Sequence, residues 1–320
     1  KRKHPKSSEG DPRQQQKKKL PQPCNNNLMR APHEHDLIRS GDLVIILVER
    51  DLYVPQVMHL GESFHTRRGY FKHDDIIGKA YGSKIETDSH NPNVLFPYIH
   101  VLKATPLLWT RCLLKRTQIL FETDIAMVIY KLGLKNGSKV VESGTGSGSL
   151  SHSILTTIAP AGHLYTFEFH EGRVNHVSQE FSDHQLKDFV TLVHGDASEG
   201  FSPTVSPQSV DAVFLDLPRP WEAIRHAHDV LRVGGRLCTF SPCIEQVQRT
   251  MKELHLRHYG DIECVECLAK NYGFEKVQMR PPFTYDHDSK ALESHCIAND
   301  IMRGHTSYLV FAKKYNVSPQ

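Results

Sequence analysis

The chain has 320 residues, 39% of them hydrophobic and 23% charged, ordinary globular usage with room for a core and for about two domains. Apolar runs such as Leu43 to Val48 stop far short of the ~20 residues a membrane-spanning helix needs. No apolar h-region opens the sequence to suggest a secretory signal, and seven scattered cysteines read as a reduced chain, not a disulfide framework.

The net charge of +3 hides an asymmetry: residues 1–30 carry nine Lys/Arg against Glu9 and Asp11, a local +7 that leaves the remainder at −4. With runs of glutamine and asparagine, several prolines and little to bury, residues 1–35 are expected to form a disordered basic arm. Its clusters Lys1-Arg2-Lys3 and Lys17-Lys18-Lys19 suit nuclear import or phosphate contact, or simply a solubilising tail. A nuclear location is the expectation taken from them. An acidic body that handles nucleic acid must cluster its basic residues or borrow positive surface from a partner.

Residues 36–103 hold the β-branched run Leu43 to Val48 and turn signals at Gly61, Gly69, Gly78 and Gly82, which predict a small β-barrel-like domain. From residue 104 to 320 the texture is α/β. A helix is predicted over Thr117 to Leu132, stopped by Gly133. Then come strands at Lys139–Ser143, His163–Glu168, Phe189–His194, Asp211–Asp216 and Arg236–Ser241. Helices are expected at Ser149–Ala159, around Val174 to Phe181, at Trp221–Arg232 and at Ile244–His255. Two final strand-like runs, Ile262–Leu268 and Ser307–Lys314, flank a polar stretch, Pro281–Arg303, expected to be a mobile loop. Repeated β-α-β demands a parallel, Rossmann-like sheet with helices on both faces, because each parallel crossover needs a dozen or more residues.

Ser143-Gly144-Thr145-Gly146-Ser147-Gly148-Ser149 carries a strand through a glycine-rich turn into a helix start. Glycines let backbone pass close to a ligand, and the helix N-terminus offers free N–H groups to a carboxylate or phosphate. A dinucleotide fingerprint would want G-x-G-x-x-G, but Ser149 stands where its third glycine belongs. The G-x-G-x-G spacing instead resembles the first motif of the class I S-adenosylmethionine-dependent methyltransferases. Glu168, ending the second strand, suits the ribose of either cofactor. Asp196-Ala197 after the third can meet an adenine amino group, and Asp216-Leu217-Pro218 after the fourth sits where a sulfonium methyl would lie. The fourth motif lacks the second proline and the aromatic of exocyclic-amine methylases. A ring nitrogen such as adenine N1 has its lone pair free, so Asp216 reads as an orienter and electrostatic stabiliser, not an obligatory base. Cys264-Val-Glu-Cys267 is a lone C-x-x-C and reads as strand; no metal site is expected.

With Arg116-Thr-Gln-Ile-Leu120, Glu142 to Ser149, Thr166-Phe-Glu-Phe-His170, Phe214-Leu-Asp-Leu-Pro218, Phe240 to Thr250 and Gly304-His-Thr-Ser-Tyr-Leu309 in hand, the chain resembles the catalytic subunits of eukaryotic tRNA (adenine-58-N1)-methyltransferases from about Ile38 to Lys314. The resemblance implies methyl transfer from S-adenosylmethionine to N1 of an adenine that must be extruded from the tRNA elbow. It implies cofactor contacts from Leu120, Ser143, Gly144, Gly146, Ser147, Gly148, Ser149, Glu168, Arg173, Asp196, Ala197 and Asp216, with Asp216 catalytic. Substrate contacts would come from Gln118, Pro218, Ser241, Pro242, Arg249, His305 and Thr306. It further implies a non-catalytic sister subunit and a heterotetramer of two plus two on tRNA, with no membrane partner. Ser307 departs from the glycine many relatives carry there. Whether mRNA also serves stays open, as do a protein isoaspartyl methyltransferase, a catalytically dead RNA-binding subunit and, more distantly, an NAD dehydrogenase.

Overall fold

A computed structural model describes residues 37–49, 51–88, 92–95, 97–113, 119–279, 291–298 and 304–316. The basic arm, Gln118 and the motif residues Arg116 and Thr117 lie outside them.

The first part comprises β1 (Leu43–Glu49), β2 (Leu52–Val57), β3 (Ser63–Thr66), β4 (Gly69–Lys72), β5 (Lys84–Glu86) and β6 (Tyr98–Lys103). In β1, alternate residues point to opposite faces. Val44, Ile46 and Val48 meet Phe71, Ile76, Ile85, Ile99 and Val101 in one core, while Leu43 and Ile45 face a second. The expected barrel resolves into an antiparallel sheet ordered β2-β1-β6-β5 plus the hairpin β3–β4. A helix the sequence reading did not foresee follows, α1 (Pro106–Cys112), started by Pro106 at its first position and by the Thr105 hydroxyl, which accepts from the Leu108 N–H at 3.2 Å.

Next come α2 (Glu122–Leu132), β7 (Lys139–Ser143), α3 (Ser149–Ile158), β8 (His163–Glu168), α4 (Glu171–Asp183), β9 (Val190–His194), β10 (Val210–Asp216), α5 (Pro220–Val230), β11 (Leu231–Ser241), α6 (Ile244–Leu256), β12 (Tyr259–Glu266), β13 (Tyr272–Met279), β14 (Ala291–Ala298) and β15 (Tyr308–Lys314). Seven strands form one sheet in the order β12-β15-β11-β10-β7-β8-β9. β11, β10, β7, β8 and β9 run parallel; β15 enters antiparallel between β11 and β12. Helices α2, α3 and α4 cover one face through Val128, Leu132, Ile154, Leu155 and Phe181. Helices α5 and α6 cover the other through Ala223, Ile224, Val247 and Leu254. Fully burying both faces explains why these strands read as continuous apolar runs and not as alternating ones.

Three expectations need correction. Helix α2 begins at Glu122, not Thr117: Phe121 is extended (φ −81°, ψ 160°), and Glu122 and Asp124 supply the negative first turn that favours a helix start. Helix α5 ends at Val230 because Leu231 already begins β11, five residues earlier than the predicted strand. The expected loop over Pro281–Arg303 contains β14, which pairs antiparallel with β13 from Tyr272↔Ala298 to Met279↔Ala291.

Candidate active site

The sheet register brings the strand ends to one rim. Ser143 pairs with Leu215 and Phe167, Glu168 with His194, and Asp216 with Phe240, so the residues that end β7, β8, β10 and β11 line up across the sheet. Between β7 and α3 the loop turns through three left-handed glycines, Gly144 (φ +88°), Gly146 (φ +58°) and Gly148 (φ +75°). At Gly144 the reason is space as well as conformation: a Cβ there would sit 2.2 Å from the Asp216 carbonyl oxygen. Gly148 caps α3 without any side-chain hydrogen bond, which leaves the N–H groups of the helix's first turn to a ligand.

Glu168 anchors this loop. Its side chain is 3% exposed; Oε2 accepts from the Gly146 N–H at 2.9 Å, and Oε1 accepts from the His170 N–H at 2.8 Å and from Arg173 at 2.7 and 3.0 Å. Arg173 is thus held by Glu168. Beneath the loop lies a second acid, Glu142, to which the sequence pattern assigns no role. Glu142 accepts from Ser151 at 2.6 Å and from Thr166 at 2.7 Å, and the Thr166 hydroxyl shares a 2.6 Å bond with that of Thr145. A carboxylate inside an otherwise apolar strand was the signal available for it.

The acids crowd one another. Burial, and behind it the Glu168 carboxylate, pushes Asp216 up to about 7, against the pull of Arg173. Burial likewise pushes Glu142 up to about 7 despite its two hydroxyl donors. Asp196 is different: exposed, and held below the usual range by the Ser198 N–H, which donates to it at 2.8 Å. Such a rim is short of positive charge and suits a cationic ligand.

Residues 97–297 match the family described as the tRNA methyltransferase complex GCD14 subunit, and residues 37–85 match a TrmI-like N-terminal family. The chain belongs to the GCD14 family. This GCD14-family chain is 44% identical over 254 residues to the tRNA (adenine(58)-N(1))-methyltransferase catalytic subunit of Dictyostelium discoideum, covering 77% of this chain and 80% of that one. It is 42% identical to the corresponding subunit of Cryptococcus neoformans, where the match covers 79% of this chain and 57% of that longer one. Among solved structures it is similar to an S-adenosylmethionine-dependent O-methyltransferase from Thermotoga maritima (25% identity, TM-score 0.72, 89% of this chain and 97% of that one). The tRNA (m1A58) methyltransferase TrmI of Aquifex aeolicus, 23% identical with a TM-score of 0.67 over 88% of this chain and all of that one, shares the fold.

The remaining expected site residues of this GCD14-family chain fall into two groups. Leu120 and Ala197 are buried, Leu120 in the α2–α4 core and Ala197 in the α5–α6 core. The second group lies around the ends of β11 and β15. The Pro218 carbonyl accepts from Gln246 at 3.0 Å, and Arg249 stands over the Trp221 ring at 5.1 Å. His305 is gripped between Glu266, which raises its pKa, and the Pro242 carbonyl, 3.1 Å away. The Ser241 and Ser307 hydroxyls are buried without partners among the described residues, and the Thr306 hydroxyl stands by Asp124, whose carboxyl is pushed up by burial. Such orphaned groups are expensive in a closed protein and ordinary where a polar substrate completes them. No group of three or more metal-ligating side chains occurs among the described residues, and none of their helices is long and apolar enough to cross a membrane.

Proposed function

We propose that this chain is the catalytic subunit of a tRNA methyltransferase that transfers the methyl of S-adenosylmethionine to N1 of adenine 58, with Asp216 at the point of transfer. The observation that carries the reading is Asp216 itself, half-buried, raised toward neutrality and aligned on one rim with the glycine loop and Glu168.

The residues present fit such a cofactor. A left-handed glycine loop with no room for a Cβ at Gly144, leading into an uncapped helix start, matches an amino acid carboxylate, and an acid-rich rim matches ribose hydroxyls and a cation. When bound, S-adenosylmethionine supplies an electrophilic methyl on a positively charged sulfur. The carboxylate would meet the first turn of α3 beside Ser147, Gly148 and Ser149. Glu168, held still by Gly146, His170 and Arg173, would accept from the ribose hydroxyls. Asp196 and Ala197 would border the adenine, Leu120 would cover it, and Ser143 and Gly144 would shape the floor.

On the acceptor side, ionised Asp216 accepts a hydrogen bond from the adenine amino group, which turns N1 and its free lone pair toward the methyl. No proton has to leave. The base becomes cationic as the bond forms, and the fixed negative charge of Asp216 stabilises that change more than it stabilises the starting state. Pro218, Ser241, Pro242, Arg249, His305 and Thr306, with Gln118 outside the described residues, would hold the nucleotide.

We further propose a non-catalytic sister subunit and an assembly of two plus two, which would lend the acidic body the positive surface that tRNA requires. A nuclear location is proposed from the basic clusters of residues 1–35. The proposed division of the chain is the arm at 1–35, the β domain at 36–103 and the catalytic domain at 104–320.

Incubating chain and partner with labelled cofactor and tRNA tests the reading. Label should appear as N1-methyladenine in tRNA; label in polypeptide with none in tRNA would refute it. The rate should also depend on pH with a defined sign. The working form of Asp216 is the ionised one, so kcat/KM falls about tenfold per unit as pH drops below about 7 and levels off above it. A cationic ligand beside Asp216 favours ionisation, so the acid limb of kcat lies at lower pH than that of kcat/KM.

A further inference from the structure

Helix α1 touches both parts of the molecule. Its Trp109 and Leu113 pack into the core that holds Leu43, Ile45 and Val57 of β1 and β2. Its other side reaches the junction between the glycine loop and α3 by two routes. The Thr110 hydroxyl, 1% exposed, lies 2.7 Å from the equally buried hydroxyl of Ser149, the first residue of α3. Trp109 meets His184 edge-on, with ring centres 4.6 Å apart. His184 Nδ1 in turn stands 2.9 Å from His152 Nε2, and His152 Nδ1 stands 2.6 Å from the Gly148 carbonyl.

Burial keeps His152 neutral, and its single proton has a defined place: Nδ1–H donates to the Gly148 carbonyl, so Nε2 must accept, from His184 Nδ1–H. The last glycine of the loop is also walled in. A Cβ on Gly148 would meet Val177 at 3.3 Å and His152 at 3.4 Å. Both routes converge on the two residues where loop becomes helix: the Gly148 N–H is given to the Thr145 carbonyl at 2.8 Å, and Ser149 opens the turn proposed to meet the ligand carboxylate.

We propose that Thr110 is a positioning residue for methyl-donor binding: it donates its hydroxyl proton to Ser149 Oγ, leaving the Ser149 O–H free to donate to the ligand carboxylate. The inference rests on the S-adenosylmethionine reading above. Helix α1, seated on the N-terminal sheet, thereby fixes the height and orientation of the first turn of α3. The sheet that carries no catalytic residue becomes part of the cofactor site. A donor and an acceptor in series polarise one another in a low-dielectric interior, so the chain of two hydroxyls is worth more together than either alone. Losing the first link leaves Ser149 buried with an unfilled acceptor and with no partner holding its rotamer.

The test uses the full chain coexpressed with its partner subunit and measures S-adenosylmethionine affinity by calorimetry, tRNA affinity by filter binding, and melting temperature. Thr110→Val keeps the shape and removes the hydroxyl; Thr110→Ser keeps the hydroxyl. The expected result is S-adenosylmethionine binding about tenfold weaker in T110V, restored to within about twofold in T110S, with tRNA affinity unchanged. A purely structural contact would lower melting temperature and both affinities together, and that outcome overturns the proposal. So does T110V binding the methyl donor as tightly as the unaltered chain. Failure of the unaltered chain itself to bind S-adenosylmethionine would remove the underlying reading instead, and the control arm shows which of the two has failed.

Discussion

Replacing Asp216 by Asn should lower kcat for tRNA methylation by about 10²- to 10³-fold while leaving tRNA affinity within a few-fold of the unaltered chain. The two side chains have almost the same shape, so the comparison isolates charge. Asparagine can still accept through its carbonyl oxygen, but it offers no negative charge to the base as that base becomes cationic. The loss should therefore appear in kcat and not in binding of the nucleotide. Because Asp216 is raised to about 7 chiefly by burial, Asn in its place also relieves the cost of keeping a charge there, and the variant should be at least as stable as the parent at pH 8. Single-turnover rates with the partner subunit present, alongside urea denaturation at pH 8, check both halves. A D216N chain that methylates tRNA at the unaltered rate would remove Asp216 from the reaction.

Gly144→Ala should cost on the order of 3 kcal/mol or more of stability, together with most of the activity. Two effects add. A φ of +88° is strained for any residue with a Cβ, which by itself accounts for about 1 kcal/mol. The new methyl would also stand 2.2 Å from the Asp216 carbonyl oxygen, a backbone atom that cannot swing aside as a side chain would. Relief requires β7 and β10 to part at their ends, which moves the acid and the loop relative to each other. Gly146→Ala is the informative control. Its φ is also positive, but a Cβ there meets nothing nearer than 3.8 Å, so only the conformational part of the cost remains. Denaturant midpoints of the two variants should differ accordingly; equal midpoints would show that the close approach at Gly144 is not what requires glycine.

The sheet and the rim were legible in the sequence because their signals are local. Lys139–Ser143 and His163–Glu168 are found with the predicted ends, since each is a short apolar run cut off by glycine or by a polar residue at the sheet edge. Glu168 and Asp216 could be singled out because strand ends in an α/β sheet collect ligand-binding groups. What escaped depends on tertiary contact. Helix α1 is only seven residues long and is held by Trp109 and Leu113 against strands some sixty residues earlier, so its periodicity is too brief to notice, although Thr105-Pro106 was a usable start signal. The hairpin β13–β14 escaped because its second strand, Ala291 to Ala298, mixes Glu293, Ser294 and His295 among apolar residues and follows a polar, proline-containing stretch. Glu142 and Thr110 carry no motif of their own; only their buried partners, Thr166 and Ser151 for one and Ser149 for the other, give them meaning.

Two carboxylates of the rim, Glu142 and Asp216, are raised to about 7, by burial first and by their charged neighbours second, and so hold protons near neutral pH. A ligand that arrives bearing a positive charge favours the ionised carboxylates and so displaces those protons. Association is then an exchange, cation in and hydrogen ions out, and the heat it evolves will track the ionisation enthalpy of whatever buffer receives them. Affinity for the methyl donor is accordingly a function of acidity, tightening as the medium becomes more alkaline.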